Sequence, residues 1–346
     1  METINNIDSG CPYTLSDYLF AMQQYNLVYN SDFRYFSNQT SNATISGFGI
    51  PDGWIYANGN LSSDIGFDVN TNQCVIEKIN PTRPMVFLQN LHEFPRWQEM
   101  LLGQYVTAKV CLDLSADTEV SIVFTDGIDT NTVTKNDSGA IEIEIQLRIS
   151  KRAKQVTLSI ESATIGATIG ISRVYANVGK VALPNLPCIV QGVIGERKQY
   201  LATETAPAEE LSLCQKSGEL SENYTRLDTV LQYRYGKGAN GRSLLPNIGG
   251  YFSRAWDNVA KVDPDADARV AWEESKITGN HVSTLQKDEF LEHDHGLDFA
   301  PNKTVKITGQ TPTMIINATL TSETNKIGGN ETRSINITEL YTIKWA

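Results

Sequence analysis

His293 and His295 stand one residue apart in the run Asp288-Glu289-Phe290-Leu291-Glu292-His293-Asp294-His295-Gly296. On an extended backbone side chains repeat with period two, so both imidazoles point the same way. One chain then offers two nitrogen ligands, too few for a closed structural site, which wants four. Three copies on a three-fold axis would offer six, enough for an octahedral shell, and imidazole suits iron, zinc, nickel and copper alike. The competing reading is a surface pair that ligates nothing, because so short a pattern often arises by accident. The acids around it (Asp288, Glu289, Glu292, Asp294) either orient the rings or are simply solvated.

The remainder of the chain must position that pair, and its composition limits how. At 346 residues the chain has length for two or three domains with real cores. Charged residues make up 20% and the net charge is −11 with no block of one sign, which disfavours nucleic acid as a partner. No run of eighteen apolar residues exists, so no transmembrane segment is expected. The first eleven residues lack a basic stretch followed by an apolar one, so no classical signal peptide is expected either. Five cysteines are scattered without CxxC spacing, which argues against a zinc knuckle or a disulfide framework and for synthesis in a reducing cytoplasm.

In residues 1–25, Thr14 or Ser16 can cap a helix carrying Tyr18, Leu19, Met22 and Tyr25 at helical spacing. Too short to stand alone, it must pack on its own domain, self-associate or attach the chain to a larger body. From Asn26 the pattern turns to strands. Residues 105–112, 119–124, 141–147 and 155–161 each alternate apolar with polar and are separated by Gly, Asp, Asn and Ser. This is the pattern of antiparallel sheets with one face turned inward, a mainly β, jelly-roll-like sandwich over 26–183. A Pro-punctuated hinge, Pro184-Asn185-Leu186-Pro187, follows, and the chain beyond it is rich in short glycine turns.

The opening Asn26-Leu27-Val28-Tyr29-Asn30-Ser31-Asp32-Phe33, followed by Pro51-Asp52-Gly53-Trp54, resembles the start of the jelly-roll carbohydrate-binding modules over about 26–180. It departs at Ser31, where those modules carry Gly, and at Arg34, where they carry a Glu that often ligates calcium; a cation does not ligate a cation. The resemblance implies a sugar platform in which aromatic faces stack on C–H faces and planar polar groups take hydroxyls. The candidates are Trp54, Tyr56, Arg96 and Trp97, with His92 near; the alternative for Trp54 is the core.

The second half resembles the phage tail-collar domain of tail-fibre tips over about 188–346. The pieces occur in order: Leu213-Cys214, Tyr224 to Leu227, Tyr235-Gly236, Leu245-Pro246-Asn247-Ile248-Gly249-Gly250-Tyr251-Phe252-Ser253-Arg254, Asp263 to Arg269, Gly279 to Asp288, His293 to His295, Asn330-Glu331-Thr332-Arg333, and Tyr341-Thr342-Ile343-Lys344. Gln215-Lys216, Asn247, Gly249 and Ser334 depart from the family pattern. The resemblance implies an intertwined, loop-rich homotrimer, with His293 and His295 of three chains around a structural transition metal (Fe or Zn) on the axis. It divides the second half into a collar-like domain at 184–296, an inserted β-prone segment at 297–327 and a closing strand at 328–346. The insert is either a distal tip, contacting a receptor through residues such as Thr313 and Asn317, or trimer-stabilising β-structure.

The function expected from these pieces is a trimeric tail-fibre-like adhesin that recognises bacterial surface glycan, lipopolysaccharide or another envelope polysaccharide. It would sit on a virion, or on a bacterium using a phage-derived fibre. The alternatives are a structural fibre segment without its own receptor site and, less well supported, a polysaccharide depolymerase. No Ser-His-Asp constellation, P-loop or dinucleotide fingerprint is present, and no enzyme is expected. Asp263, Asp265 and Asp267 lack the Gly and terminal Glu of a calcium loop.

Overall fold

The computed structural model describes residues 13–37, 49–57, 64–77, 82–288 and 336–346. Its organising element is β5 (Tyr105–Thr125), antiparallel to β6 (Thr130–Arg148) along its whole length. On its other edge the first half of β5 pairs with β8 (Thr168–Val178) and the second half with β7 (Thr157–Ser162). One strand therefore belongs to two sheets. The crossing lies between Leu114 and Thr118, where the register with β6 shifts and Ser115, Ala116 and Asp117 are exposed. Such a bulge bends a strand without ending it. The shift preserves parity, so Val106, Ala108, Val110, Leu112 and Leu114 face the core before it, and Val120, Ile122 and Phe124 after it. Alternation suggested two short strands at 105–112 and 119–124; the structure joins them because Ser115-Ala116-Asp117 bulges instead of turning.

One sheet continues from β8 to β3 (Gln73–Glu77) and β2 (Ile65–Asp68), the other from β7 to β4 (Met85–Asn90) and β1 (Ile55–Tyr56). All the pairings are antiparallel, which makes the mainly β sandwich expected from alternation. Between the sheets Trp54 stacks on Phe87 with ring centroids 4.6 Å apart, and Phe33 tilts against Trp54 at 5.5 Å. The turn before Trp54 needs Gly53: its φ is +82°, and a Cβ there would meet Tyr29 Cδ1 at 2.6 Å. Residues 26–33 run beside β8, fixed by Leu27 N–H to Ala176 O (2.7 Å) and Val174 N–H to Ser31 O (2.9 Å).

Helix α1 (Leu15–Ala21) starts at Thr14, whose hydroxyl accepts from Asp17 N–H while Asp17 accepts from Thr14 N–H, a reciprocal cap. Leu15, Leu19 and Met22 on it are exposed. Helix α2 (Trp97–Leu101) links β4 to β5.

Residues 1–285 and 339–346 form one compact unit, and 286–338 a second that is described only at 286–288 and 336–338. Beyond the sandwich, β13 (Leu340–Lys344) lies between β9 (Arg197–Tyr200) and β10 (Glu210–Ser212), and β11 (Gly218–Glu219) pairs with β12 (Leu244–Leu245). Helix α3 (Thr225–Leu231) supplies Leu227, Val230 and Leu231 to a second core with Val190, Ile194, Leu213 and Ile343, which Tyr29 joins from the first half. The sandwich grips α3 at its start. Glu93 accepts from Thr225 N–H (3.1 Å), the Thr225 hydroxyl, Arg226 N–H (2.9 Å) and the Asn90 amide (3.2 Å), placing a carboxylate where a helix N-terminus favours negative charge. Arg226, fully buried, reaches back to the carbonyls of Asn90 (2.7 Å), Leu27 (3.1 Å) and Glu93 (3.3 Å).

Candidate functional site

The four sandwich residues proposed from sequence as a sugar platform are not gathered on one surface. Trp54 has 0% exposure and its ring packs on Phe87 and Phe33 in the core. Tyr56 is partly buried against the same core; burial, then its contact with the Asp64 carboxylate (3.4 Å), push its phenol up to about 12. Trp97 packs on the core with its ring edge-on to His92 at 5.1 Å. His92 is itself buried; its Nδ1 accepts from Val156 N–H at 3.0 Å, and burial pushes its imidazole down to about 4. Arg96 is exposed, in left-handed backbone (φ 59°), and is engaged by Glu99 through Nε at 3.0 and 3.1 Å. Arg96 and Glu99 edge a hollow of about 380 Å³ floored by Phe94, Met100 and Ile189.

His293, His295, Thr313 and Asn317 lie outside the described residues. Among the described residues no group of three or more His, Cys, Asp or Glu side chains is arranged to hold a metal ion. Asp263 takes Arg269 at 3.2 Å and Arg254 at 3.6 Å, while Asp257 accepts from the N–H groups of Lys261, Val262 and Asp263. These aspartates brace a loop.

A larger groove, about 910 Å³, opens on the outer face of the sheet that contains β2, β3, β8 and the first half of β5. Its floor follows from register. With the even residues of β5 inward, Lys109 and Cys111 face outward, and Cys111 lies directly between Glu142 of β6 and Arg173 of β8. The β5–β8 register shifts between Cys111 and Leu112, which leaves Ser172 as an extra residue; its hydroxyl donates to Cys111 O at 3.3 Å. Lys109 bridges Glu142 (3.2 Å) and Glu144 (3.9 Å). Tyr175, opposite Lys109, is mostly covered, and burial raises its phenol.

The walls come from elsewhere in the chain. Phe36, beyond the segment beside β8, meets Phe67 of β2 at 5.4 Å with the rings tilted by 53°, and both line the groove. Asp32 and Arg34 form an ion pair on the same side, and Thr71 and Asn72 stand at the β2–β3 turn. The groove thus combines an aromatic edge with two carboxylates, two guanidinium groups and an amide. Those are the planar donors and acceptors that polyhydroxylated ligands need, next to rings their C–H faces can cover. The groove's carboxylates are engaged by cations, Asp32 by Arg34 and Glu142 by Lys109. Of its members Asp32, Phe33 and Arg34 fall in the opening that resembles the carbohydrate-binding modules, and Pro184 in the hinge; the outward positions of β5, β6 and β8 were the signal available for the floor.

No family model matches the chain, and no curated protein matches it. Among solved structures the sandwich is similar to a family 61 carbohydrate-binding module in complex with beta-1,4-galactotriose, at 11% identity over 44% of this chain and 97% of that one, TM-score 0.30. It is also similar to a putative sugar binding protein from Bacteroides thetaiotaomicron, at 12% identity over 45% and 100%, TM-score 0.30. A third is the enzymatically active domain of tailspike protein 4 from bacteriophage CBA120, at 15% identity over 44% and 21%, TM-score 0.29. Scores of this size carry no conclusion on ligand or activity.

Proposed function

We propose that this chain is a trimeric, tail-fibre-like adhesin that binds bacterial envelope glycan without cleaving it. The observation that carries the glycan reading is the outer-face groove, where Phe36 and Phe67 stand beside Asp32, Arg34, Asn72, Glu142 and Arg173. Its engaged carboxylates suit holding a sugar better than proton transfer, which favours a binder over a depolymerase.

Self-association is supported by a different surface. Between 251 and 282 the chain is mostly irregular and leaves Tyr251, Phe252, Trp256, Val259, Val262 and Val282 exposed, with Phe252 at 68% and Val259 at 81%. Apolar side chains gathered in one segment this way mark a surface that another protein covers. In this reading the cover is two further copies, with His293 and His295 of the three chains around one iron or zinc ion. Residues 297–327 then supply the distal contact through Thr313 and Asn317, and α1 attaches the chain to a larger body through Leu15, Leu19 and Met22. Three weak sites on one fibre act together because tethering raises their effective concentration. The fibre belongs to a virion or to a bacterium using a phage-derived one.

Light scattering with elemental analysis of the purified chain, followed by a glycan array, tests this. A trimer with one iron or zinc per three chains that binds envelope polysaccharide is expected. A metal-free monomer overturns the assembly. A trimer that binds no glycan leaves a structural fibre segment, and release of reducing ends would mean a depolymerase.

A further inference from the structure

Three cations face the outer groove or its margin, and two are engaged. Arg34 pairs with Asp32, and Lys109 with Glu142 and Glu144. Arg173 is different: partly buried on the floor beside Cys111, it has no hydrogen-bond or ion-pair partner among the described residues. Withdrawn from part of its water and given no acceptor among those residues, its guanidinium leaves N–H groups open to a ligand. Its planar fork of N–H groups matches a carboxylate in two parallel hydrogen bonds, a geometry a hydroxyl cannot return.

We infer that the groove selects an acidic sugar, one bearing a carboxylate, and that Arg173 is the residue that reads it. This rests on the reading of the groove as the glycan site and narrows its ligand class. The carboxylate pairs with Arg173 while the C–H face of the ring lies toward Phe36 and Phe67. Glu142 and Asp32 do not repel it strongly, because each already has a cation within hydrogen-bonding reach. The net charge of −11 opposes an anionic ligand at long range, but physiological salt screens that field beyond about 8 Å. The contact on the floor is short enough to escape most of that screening.

The test uses the full chain and a panel of oligosaccharides from acidic bacterial polysaccharides, each paired with its carboxyl-reduced product, in titration calorimetry. Wild-type protein binds acidic members and loses about tenfold or more on carboxyl reduction. Arg173→Gln binds both forms equally and weakly, and Arg173→Lys, which keeps the charge but not the fork, falls between. An unchanged thermal transition in both variants shows that the sheet is intact; Arg173→Lys carries the comparison if Arg173→Gln unfolds. Wild-type protein that binds neutral and acidic forms alike, or Arg173→Gln that keeps the wild-type preference, overturns the assignment while leaving a glycan site in place. Wild-type protein that binds no member and no neutral glycan overturns the groove itself.

Discussion

Arg226 is where the two halves of the described unit are most exposed to a single substitution. Arg226→Met keeps the length and apolar stem and removes the guanidinium. The buried carbonyls of Leu27 and Glu93 and the partly buried one of Asn90 then lose a donor, and the bonds lost are two good ones and one long one. An orphaned buried acceptor costs about 1–3 kcal/mol. Against that, Glu93 keeps its four other donors, and Arg226 Nε, unsatisfied in the native fold, no longer has to be buried. Breaking one side of a buried charge pair costs about 3–5 kcal/mol overall. The expected loss is about 4 kcal/mol, with about half recovered in Glu93→Gln/Arg226→Met, where no uncompensated charge remains. Urea unfolding followed by tryptophan fluorescence at fixed protein concentration measures both. Because Arg226 joins the sandwich to the second core, the single variant should also become sensitive to proteolysis near 184–187, which limited digestion reads. A loss below about 1 kcal/mol for Arg226→Met, with digestion unchanged, would refute the view that this buried cation ties the halves together.

His92 gives a pH signature. Its imidazole lies near 4 in the fold and near 6.5 when unfolded, so the unfolded chain binds more protons between those values. Stability from this residue is full above about pH 6.5 and falls by about 3 kcal/mol as pH drops to 4. Burial pushes the Glu93 carboxyl up and gives the opposite slope, so the measurement compares wild type with His92→Gln, whose urea midpoint should vary less across that window. Trp54→Ala, by opening the aromatic core, should cost about 3–5 kcal/mol in denaturant unfolding while the glycan affinity of the folded fraction stays the same; a selective loss of affinity would return Trp54 to the binding site.

The sandwich was legible because β5, the second half of β6 and β7 write an alternation of apolar and polar residues openly into the sequence. Less legible was which aromatic ring ends inside. Trp54 sits in a turn and Trp97 opens the five-residue helix α2, both too short for periodicity to say anything, and Trp54 is turned inward by a left-handed glycine that closes on Tyr29. The groove was hidden for another reason. Residues 32–36, 67–72, 111, 142 and 173 become neighbours only through a strand order that no local spacing encodes. Arg226 and Glu93, 133 residues apart, carry no sequence signal beyond their types.

The long hairpin of β5 and β6 has a mechanical consequence for the sandwich under load. Because one continuous ladder runs through both faces of the sandwich, neither face can peel away alone; tearing one drags the same two strands out of the other. Load entering anywhere on the sandwich is therefore shared by both layers, and the module gives way as a whole or not at all.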